Sequence, residues 1–423
     1  MSTALLWFRD DLRLFDNPAL KAALEENKQI VSVFILDERY LQKDRWGILR
    51  TGPYRLRFLL ESLADLKEHL EEKGSTLLLK KGIPEVDIPQ VMEQYGAQAI
   101  YAAKAYTHEE IKMEKALAEQ YSVHLYHSTP LIHPDDVPFA LSDVPDVFTQ
   151  FRKKVEKYAG VRELIPTPDR VISPEIPQSP VPTIQDLGFT PPDKDPRAVL
   201  DFKGGAVAGD DRLDHYLWNS DRVARYKETR NGLIGADYST KFSPWLANGS
   251  MSPRTVYHEV ERYEQEVTKN KSTYWVKFEL LWRDYFKYVA MRYGRKIFFP
   301  GGIQDKKINW RNNDKVFHKW TQGETGDDFV DANMRELLYT GFMSNRGRQN
   351  VASYLVHQLK MDWRRGAAWF ESLLLDHDVC SNYGNWMYAG GVGNDPRDRI
   401  FNTKKQASMY DKDGAFRRLW LSE

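Results

Sequence analysis

The sequence contains a single cysteine, Cys380, among 423 residues. One thiol cannot form an intramolecular disulfide, and it cannot supply the several thiolates of an iron–sulfur cluster or a structural zinc site. No apolar run approaches the ~20 residues that cross a membrane, and Asp10 and Asp11 come too early for a signal peptide. We therefore expect a cytoplasmic protein without a disulfide, a metal site or a membrane span.

A net charge and the common nucleotide-binding fingerprint are also missing. Lys plus Arg and Asp plus Glu both number 60, so global charge gives no argument for nucleic acid, although a neutral sum can conceal a basic face. No G-x-G-x-x-G sequence follows the first apolar run, where a dinucleotide-binding sheet would present it. If a nucleotide binds, we expect its site elsewhere in the chain.

Aromatic side chains, by contrast, are abundant: the chain has 12 Trp, 22 Tyr and 20 Phe. Such rings are flat and oxidisable, but in most proteins they fill a core or a sugar-binding surface. Composition alone favours that ordinary interpretation.

The first part of the chain alternates short apolar runs with helical patterns, which is typical of parallel β/α units. The runs cover residues 4–8, 30–36, 76–79, 99–102 and 123–126. A long amphipathic helix is expected between Gly52-Pro53 and Gly74, and Asn17-Pro18 predicts another helix start. We expect an α/β domain with a doubly wound parallel sheet over residues 1–130.

Prolines then accumulate between residues 166 and 196, as in a long interdomain connection. We interpret residues 131–200 as a linker. Beyond it, strand-like runs disappear, and helical patterns cover residues 213–229, 255–267 and 272–293. Residues 201–423 are expected to form an all-helical domain.

The segment 238–245, YSTKFSPW, places hydroxyls and a lysine before Ser243-Pro244. Ser243 is expected to cap a helix that has proline at its first position, and free amides at such a helix start bind phosphate. An ordinary cap explains the same pattern, and the segment alone does not exclude it.

The helical segment 278–286, FELLWRDYF, has charged and aromatic residues on one expected face, namely Glu279, Trp282, Arg283 and Phe286. A solvated Glu279–Arg283 ion pair is one interpretation. Aromatic neighbours seldom surround charges on an exposed face, so the floor of a pocket for a planar ligand fits better. Further along, a buried Arg348 would need a carboxylate partner, and Asp376 is the candidate.

Five stretches resemble the photolyase/cryptochrome family in its order: WFRDDLRLFDN, STKFSPWLANGSMSPR, FELLWRDYF, FMSNRGRQN and DVCSNYGNWMYAGGVGNDPRDRIFN. The surroundings of Arg348-Gln349 and Trp386-Met387-Tyr388 are similar to its DASH branch. The resemblance runs from residue 4 to the end of the sequence.

This resemblance implies a U-shaped FAD in the helical half. It places four residues at the diphosphate, namely Thr240, Lys241, Phe242 and Ser243. Around the rest of the cofactor it places Tyr226, Glu279, Arg283, Asn345, Arg348, Asp376, Asp378 and Asn382. Asn382 would face the flavin N5, where a neutral amide can adapt to several states of the ring.

The resemblance also implies an activity: blue-light-driven repair of cyclobutane pyrimidine dimers, preferentially in single-stranded DNA, by electron transfer from reduced flavin. Trp386, Trp363 and Trp310 would form an electron-transfer chain, while Glu279 and Trp282 would contact a flipped dimer. The basic residues that could line an approach for the DNA backbone are Arg292, Arg295, Lys296, Arg397, Arg399, Lys404 and Lys405. A solvated helix face is the alternative for each of them.

The resemblance further implies a light-harvesting antenna between the two domains, commonly a folate such as methenyltetrahydrofolate, with Glu109 or Glu110 as its acidic contact. Both acids also suit the first turn of a helix. The rival function is a blue-light signalling cryptochrome with little repair activity, because the same flavin pocket serves either role. A flavin-free binding protein is the third alternative.

Overall fold

The computed structural model describes residues 2–178, 180–395 and 400–422. Its N-terminal part contains a five-stranded parallel sheet in the order β3-β2-β1-β4-β5. The strands are β1 (Thr3–Trp7), β2 (Gln29–Asp37), β3 (Leu77–Gly82), β4 (Ala97–Ala103) and β5 (Ser122–Tyr126). The chain order reverses between β1 and β4, which is the point where doubly wound sheets bind ligands.

Four helices cover both faces of this sheet: α1 (Pro18–Glu26), α2 (Pro53–Glu72), α3 (Pro84–Tyr95) and α4 (His108–Ala118). Alternate residues of β1 point to opposite faces. Leu6 packs in the core formed with α1 and α2, whereas Leu5 packs in the core formed with α3 and α4. The predicted α/β fold class and both predicted helix starts, at Pro18 and Pro53, are confirmed.

The segment between the sheet and the helical part is mostly irregular, but it contains α5 (Phe148–Tyr158). Phe148, Phe151 and Val155 are buried on one face of α5 and belong to the core of the helical part. This helix therefore packs with the residues that follow the segment.

The remainder of the described chain is helical, as the sequence predicts. Its helices are α6 (Ala206–Asp214), α7 (Tyr226–Thr229), α8 (Ser243–Asn248), α9 (Pro253–Glu266), α10 (Lys271–Tyr293), α11 (Asp314–Gln322), α12 (Asp328–Thr340), α13 (Asn345–Ser353), α14 (Trp363–Leu373), α15 (Val379–Ala389), α16 (Thr403–Tyr410) and α17 (Ala415–Leu421). The described helices include none that is both long enough and apolar enough to span a membrane.

One helix expected from the sequence, over residues 213–229, is wrong. The α-helix ends at Asp214 and gives way to a π-turn and a 3₁₀ turn before α7 begins. Asp221 adopts a left-handed φ of +54°, and the Ser220 hydroxyl donates to the His215 carbonyl. Short polar side chains compete in this way with the helical hydrogen bonds, which the apolar spacing does not reveal.

A buried ion pair joins the two parts of the molecule. Asp16, which follows β1, is completely buried, and Arg254 at the start of α9 contacts both of its carboxylate oxygens at 2.8 Å. Arg13 donates to the carbonyls of Asp16 and Ser128 in the N-terminal part and to the carbonyl of Gly249 in the helical part. The carboxyl end of β1 is thereby fixed against the helices.

Candidate functional site

A cavity of about 280 Å³ lies among the helices. We call it the helical cavity. Eleven of the predicted cofactor-binding residues line it: Tyr226, Thr240, Lys241, Phe242, Ser243, Glu279, Arg283, Asn345, Arg348, Asp376 and Asp378. The structure therefore brings residues from five separated segments of the sequence around one space.

Asn382 is the one predicted cofactor residue that does not line the helical cavity. It is buried behind the wall, next in sequence to the lining residue Ser381, and its Nδ2 donates to the carbonyl of Ala367 at 2.9 Å.

Helix α10 presents Glu279 and Arg283 to the cavity one turn apart. Glu279 pairs with Arg230, not with Arg283, and burial raises the pKa of Glu279 although Arg230 opposes this shift. Arg283 donates to the carbonyls of Thr129 and Leu246, the latter at 2.9 Å. The local Glu279–Arg283 ion pair considered from the sequence is therefore wrong, and the two charges have separate anchors.

Trp282 follows Glu279 by about one turn of α10 but is not part of the cavity lining. Its ring stacks on Phe148 of α5, with ring centres 3.7 Å apart and planes inclined by 14°. The indole also makes an edge contact with Tyr388 at 6.0 Å. The two aromatic neighbours hold Trp282 next to the cavity, outside its wall.

Arg348 and Asp376 form the ion pair expected from the sequence. Nη2 of Arg348 lies 2.9 Å from Oδ2 of Asp376, and Nε donates to the carbonyl of Met343. Within the described part of the chain, the buried Oδ1 of Asp376 has no hydrogen-bond partner. A buried acceptor without a donor is costly, so this oxygen is suited to a donor group on a ligand.

The segment before α8 carries Lys241 in a left-handed conformation, with φ of +61°. Its ammonium lies 3.0 Å from the ring centre of Tyr238 and 3.1 Å from Oγ of Ser239. The N-cap of α8 is Phe242, so the prediction that Ser243 caps this helix is wrong by one residue. Ser243 is instead the first helical residue, and no side chain forms a capping hydrogen bond at the start of this helix.

A second buried ion pair stands at the other side of the cavity. Nζ of Lys287 lies 2.6 Å from Oδ2 of Asp378, which also caps α15 by accepting from the backbone N–H of Ser381. Burial opposes the ionised form, but Lys287 and Arg283 outweigh it and hold the pKa of Asp378 well below its usual value. Lys287 was not predicted from the sequence, although its position between the aromatic residues Phe286 and Tyr288 indicates burial.

The three tryptophans expected to carry electrons lie on one side of the helical part. Trp386 and Trp363 are fully buried on α15 and α14, while Trp310 is half-buried on the loop before α11. The indole N–H groups of Trp363 and Trp310 both donate to the carbonyl of Pro300, at 3.2 and 3.0 Å. One carbonyl thus fixes two of the three rings.

Trp386 packs tightly against Gly366 of α14. A methyl group at Gly366 would lie 2.2 Å from the Trp386 ring, so we expect Gly366→Ala to lower the free energy of unfolding by about 1–3 kcal/mol. Urea denaturation measures this change. Gly160→Ala is the matched control, because a methyl group there meets nothing within 4 Å. Equal effects of the two substitutions would contradict the close packing.

A second cavity, of about 240 Å³, lies between the sheet and the helices, and we call it the interdomain cavity. Glu109 and Glu110, the predicted antenna contacts, both line it. Arg50 pairs with Glu109 at 2.8 Å and with Glu371 of α14 at 3.3 Å. Ala247 and Asp378 line both cavities, so the two spaces share one wall.

The basic residues expected along a DNA approach differ in their surroundings. Arg292 pairs with Asp146 at 2.9 Å, and Lys296 pairs with Asp305 at 2.5 Å. Arg295, Lys404 and Lys405 are exposed, whereas Arg397 and Arg399 lie outside the described residues.

Comparison with known protein families matches two portions of the chain. Residues 4–170 match the family described as DNA photolyase, and residues 275–423 match the FAD-binding domain of DNA photolyase. The second match begins within α10 and extends through α17, and these helices supply much of the wall of the helical cavity. An FAD-binding domain is therefore present in the helical part.

Known relatives cover the chain over its whole length. Cryptochrome DASH of Danio rerio is 48% identical over 436 residues, covering 100% of this chain and 83% of the relative. The crystal structure of a cryptochrome from Synechocystis sp. PCC6803 superimposes with a TM-score of 0.97 at 48% identity, covering 100% of this chain and 89% of the other. An archaeal photolyase from Sulfolobus tokodaii gives 0.77 at 28% identity, covering 100% and 90%. The chain therefore belongs to the photolyase/cryptochrome family and, within it, to the DASH cryptochromes.

Proposed function

We propose that this protein repairs cyclobutane pyrimidine dimers, preferentially in single-stranded DNA, using light and FAD held in the helical cavity. The observation that carries the proposal is the placement of Glu279 in the cavity wall with Trp282 beside it on α10. A carboxylate that accepts hydrogen bonds and an indole that stacks are the two groups needed to receive a flipped base pair.

The residues of the helical cavity fit FAD by their charge and by their free polar atoms. Lys241, Arg283 and Arg348 line the cavity with three basic side chains, which suit an anionic cofactor. Among the described residues, Oδ1 of Asp376 and the buried hydroxyl of Tyr238 have no hydrogen-bond partner. When bound, FAD would supply the electron that light transfers to the dimer.

Each side chain then has a defined task. Thr240, Lys241 and Ser243 would hold the diphosphate, and Arg348 with Asp376 would orient the flavin ring through hydrogen bonds. Asn382 would lie behind this wall, with its Nδ2 held by the carbonyl of Ala367. Bound FAD would displace water from the cavity, which would strengthen these electrostatic contacts.

The test is illumination of the photoreduced protein with an oligonucleotide that contains one dimer, offered single-stranded and as a duplex. We expect loss of the dimer in both, faster in the single strand, because extruding a dimer from a duplex costs a few kcal/mol. No turnover on either substrate would contradict repair and would favour the signalling role.

Glu279→Gln tests the residue on which the proposal depends. We expect repair to slow by roughly ten- to a hundredfold, because hydrogen bonds to charged groups contribute about 1.5–3 kcal/mol. FAD content must be measured alongside, since Glu279 also lines the cofactor cavity. Glu266→Gln, at an exposed position on α9, is the matched control. Unchanged repair in Glu279→Gln with full FAD content would remove Glu279 from the dimer site.

We also propose that Trp386, Trp363 and Trp310 carry electrons between the flavin and the surface. Burial of the first two indoles and half-exposure of the third support this order. The shared Pro300 carbonyl supports an exchange between Trp363 and Trp310.

The interdomain cavity is our proposed site for an antenna, a folate such as methenyltetrahydrofolate. Glu109 and Glu110 place carboxylates there, which suit the N–H donors of a pterin ring. The Sulfolobus tokodaii photolyase is described as holding two FAD molecules and as implying a novel light-harvesting cofactor, so a second chromophore has a precedent in the fold. We retain the cytosol as the proposed compartment, on the single cysteine.

A further inference from the structure

Helix α12 contains a carboxyl group, that of Glu336, in the interior of the protein. Glu336 is completely buried, and within the described chain neither of its carboxyl oxygens has a hydrogen-bond partner. The backbone N–H of Ser344 approaches the group without hydrogen-bond geometry. An ionised carboxylate in such a place is expensive, so a protein tolerates it only when the group is neutral or paired.

The groups facing Glu336 belong to the wall of the helical cavity. The two cations that act on it are Lys241, from the segment before α8, and Arg348 of α13. Tyr238 also faces Glu336, and its buried hydroxyl is neutral because burial and Glu336 raise its pKa. Glu336 is therefore buried within electrostatic reach of two basic residues of the cavity wall.

Neither of these two cations interacts with Glu336 alone. Arg348 is already paired with Asp376. Lys241 lies over the ring of Tyr238, and burial holds its pKa well below the usual value, with Arg212 and Arg348 lowering it and Glu336 and Asp237 opposing. Both cations line the cavity and are thus shared with whatever anion it contains.

Burial raises the pKa of Glu336 to about 8, although Lys241, the Ser344 N–H and Arg348 oppose the shift. The group is therefore mostly protonated at neutral pH and ionises in weakly alkaline solution. The diphosphate of FAD, which Lys241 would hold, brings negative charge to the same wall of the cavity, and a second negative charge behind that wall disfavours its binding.

We propose that Glu336 is a positioning residue that must keep its proton for tight binding of FAD, acting through Lys241 and Arg348. This proposal rests on the proposed binding of FAD in the helical cavity. Ionisation of Glu336 weakens FAD binding, and by linkage FAD binding makes the carboxyl group retain or take up a proton.

The test compares the FAD affinity of the full-length apoprotein and of Glu336→Gln, by fluorescence quenching, at several pH values. The amide resembles the protonated acid, so the two affinities should agree at pH 6.5. At pH 9 wild type should bind about tenfold more weakly than the variant, because that pH is one unit above the value of about 8.

Asp328→Asn is the matched control, a carboxyl-to-amide change at an exposed position of the same helix. Its affinity ratio to wild type should stay near one at every pH. A ratio for Glu336→Gln that does not change with pH would overturn the proposal, since it would reflect packing alone.

A measurement on wild type alone covers the case in which Glu336→Gln does not fold. The infrared difference spectrum of FAD binding at pH 8.5 should show one carboxylate becoming a protonated carboxyl group. Absence of this band overturns the proposal. Failure of dimer repair with an intact pH-dependent ratio would contradict the proposed function and leave the role of Glu336 standing.

Discussion

Photoreduction of the bound flavin should be largely lost in Trp363→Phe, while FAD remains in the protein. Trp363 is completely buried and shares the Pro300 carbonyl with Trp310, so it is the expected link between the inner and the outer indole. A phenyl ring is far harder to oxidise than an indole and cannot accept the positive charge. Illumination with blue light under anaerobic conditions, followed by the flavin absorption spectrum, measures the effect.

Trp320→Phe provides the matched control for this experiment. Trp320 is also fully buried, and its ring centre lies 6.2 Å from that of Trp386. It is absent from the proposed chain, and photoreduction in this variant should match wild type. If Trp320→Phe slowed photoreduction and Trp363→Phe did not, the electron would reach Trp386 through Trp320 of α11 and the proposed chain would be wrong.

The largest effect on stability is expected from Asp16→Asn. Arg254 would stay buried without its counter-charge, and breaking a buried ion pair from one side costs about 3–5 kcal/mol. Asparagine tolerates the left-handed φ of +53° at this position, so backbone strain should contribute little. Urea denaturation measures the loss of unfolding free energy. We expect this loss in the unfolding step in which the sheet domain separates from the helices.

Two further variants separate charge from packing at this contact. Asp16→Asn combined with Arg254→Met should cost less than the sum of the single changes, because no buried charge remains unpaired. Asp136→Asn removes a partly exposed ion pair with Arg162 and should cost only about 0–1 kcal/mol. Additive losses at Asp16 and Arg254 would show that their charges do not interact in the folded protein.

Local sequence patterns predicted the fold well because they are governed by local physics. Apolar runs of strand length marked all five strands, and Pro18 and Pro53 marked helix starts. The break after Asp214 was missed, because polar side chains that compete with helical hydrogen bonds leave the apolar spacing unchanged. Ser243 was misplaced by one residue at a helix boundary, where the sequence signals are weakest.

The residues of the candidate site were likewise predicted from the sequence only in part. Motif resemblance named the residues that line the helical cavity, and charge balance alone suggested Asp376 as the partner of Arg348. Lys287 and Glu336 were missed, since a single charge within a helix normally faces solvent and only three-dimensional packing reveals its burial. Pairings between distant segments, such as Arg230 with Glu279, depend on that packing as well.

The Pro300 carbonyl that accepts from both Trp363 and Trp310 has a consequence for kinetics. We expect two rings anchored to one atom to shift together during thermal motion, so that the distance between them varies less than the position of either ring. Electron exchange rates fall steeply with separation, and a narrow spread of separations gives a narrow spread of rates. Charge migration between these indoles should therefore decay as a single exponential across the population of molecules.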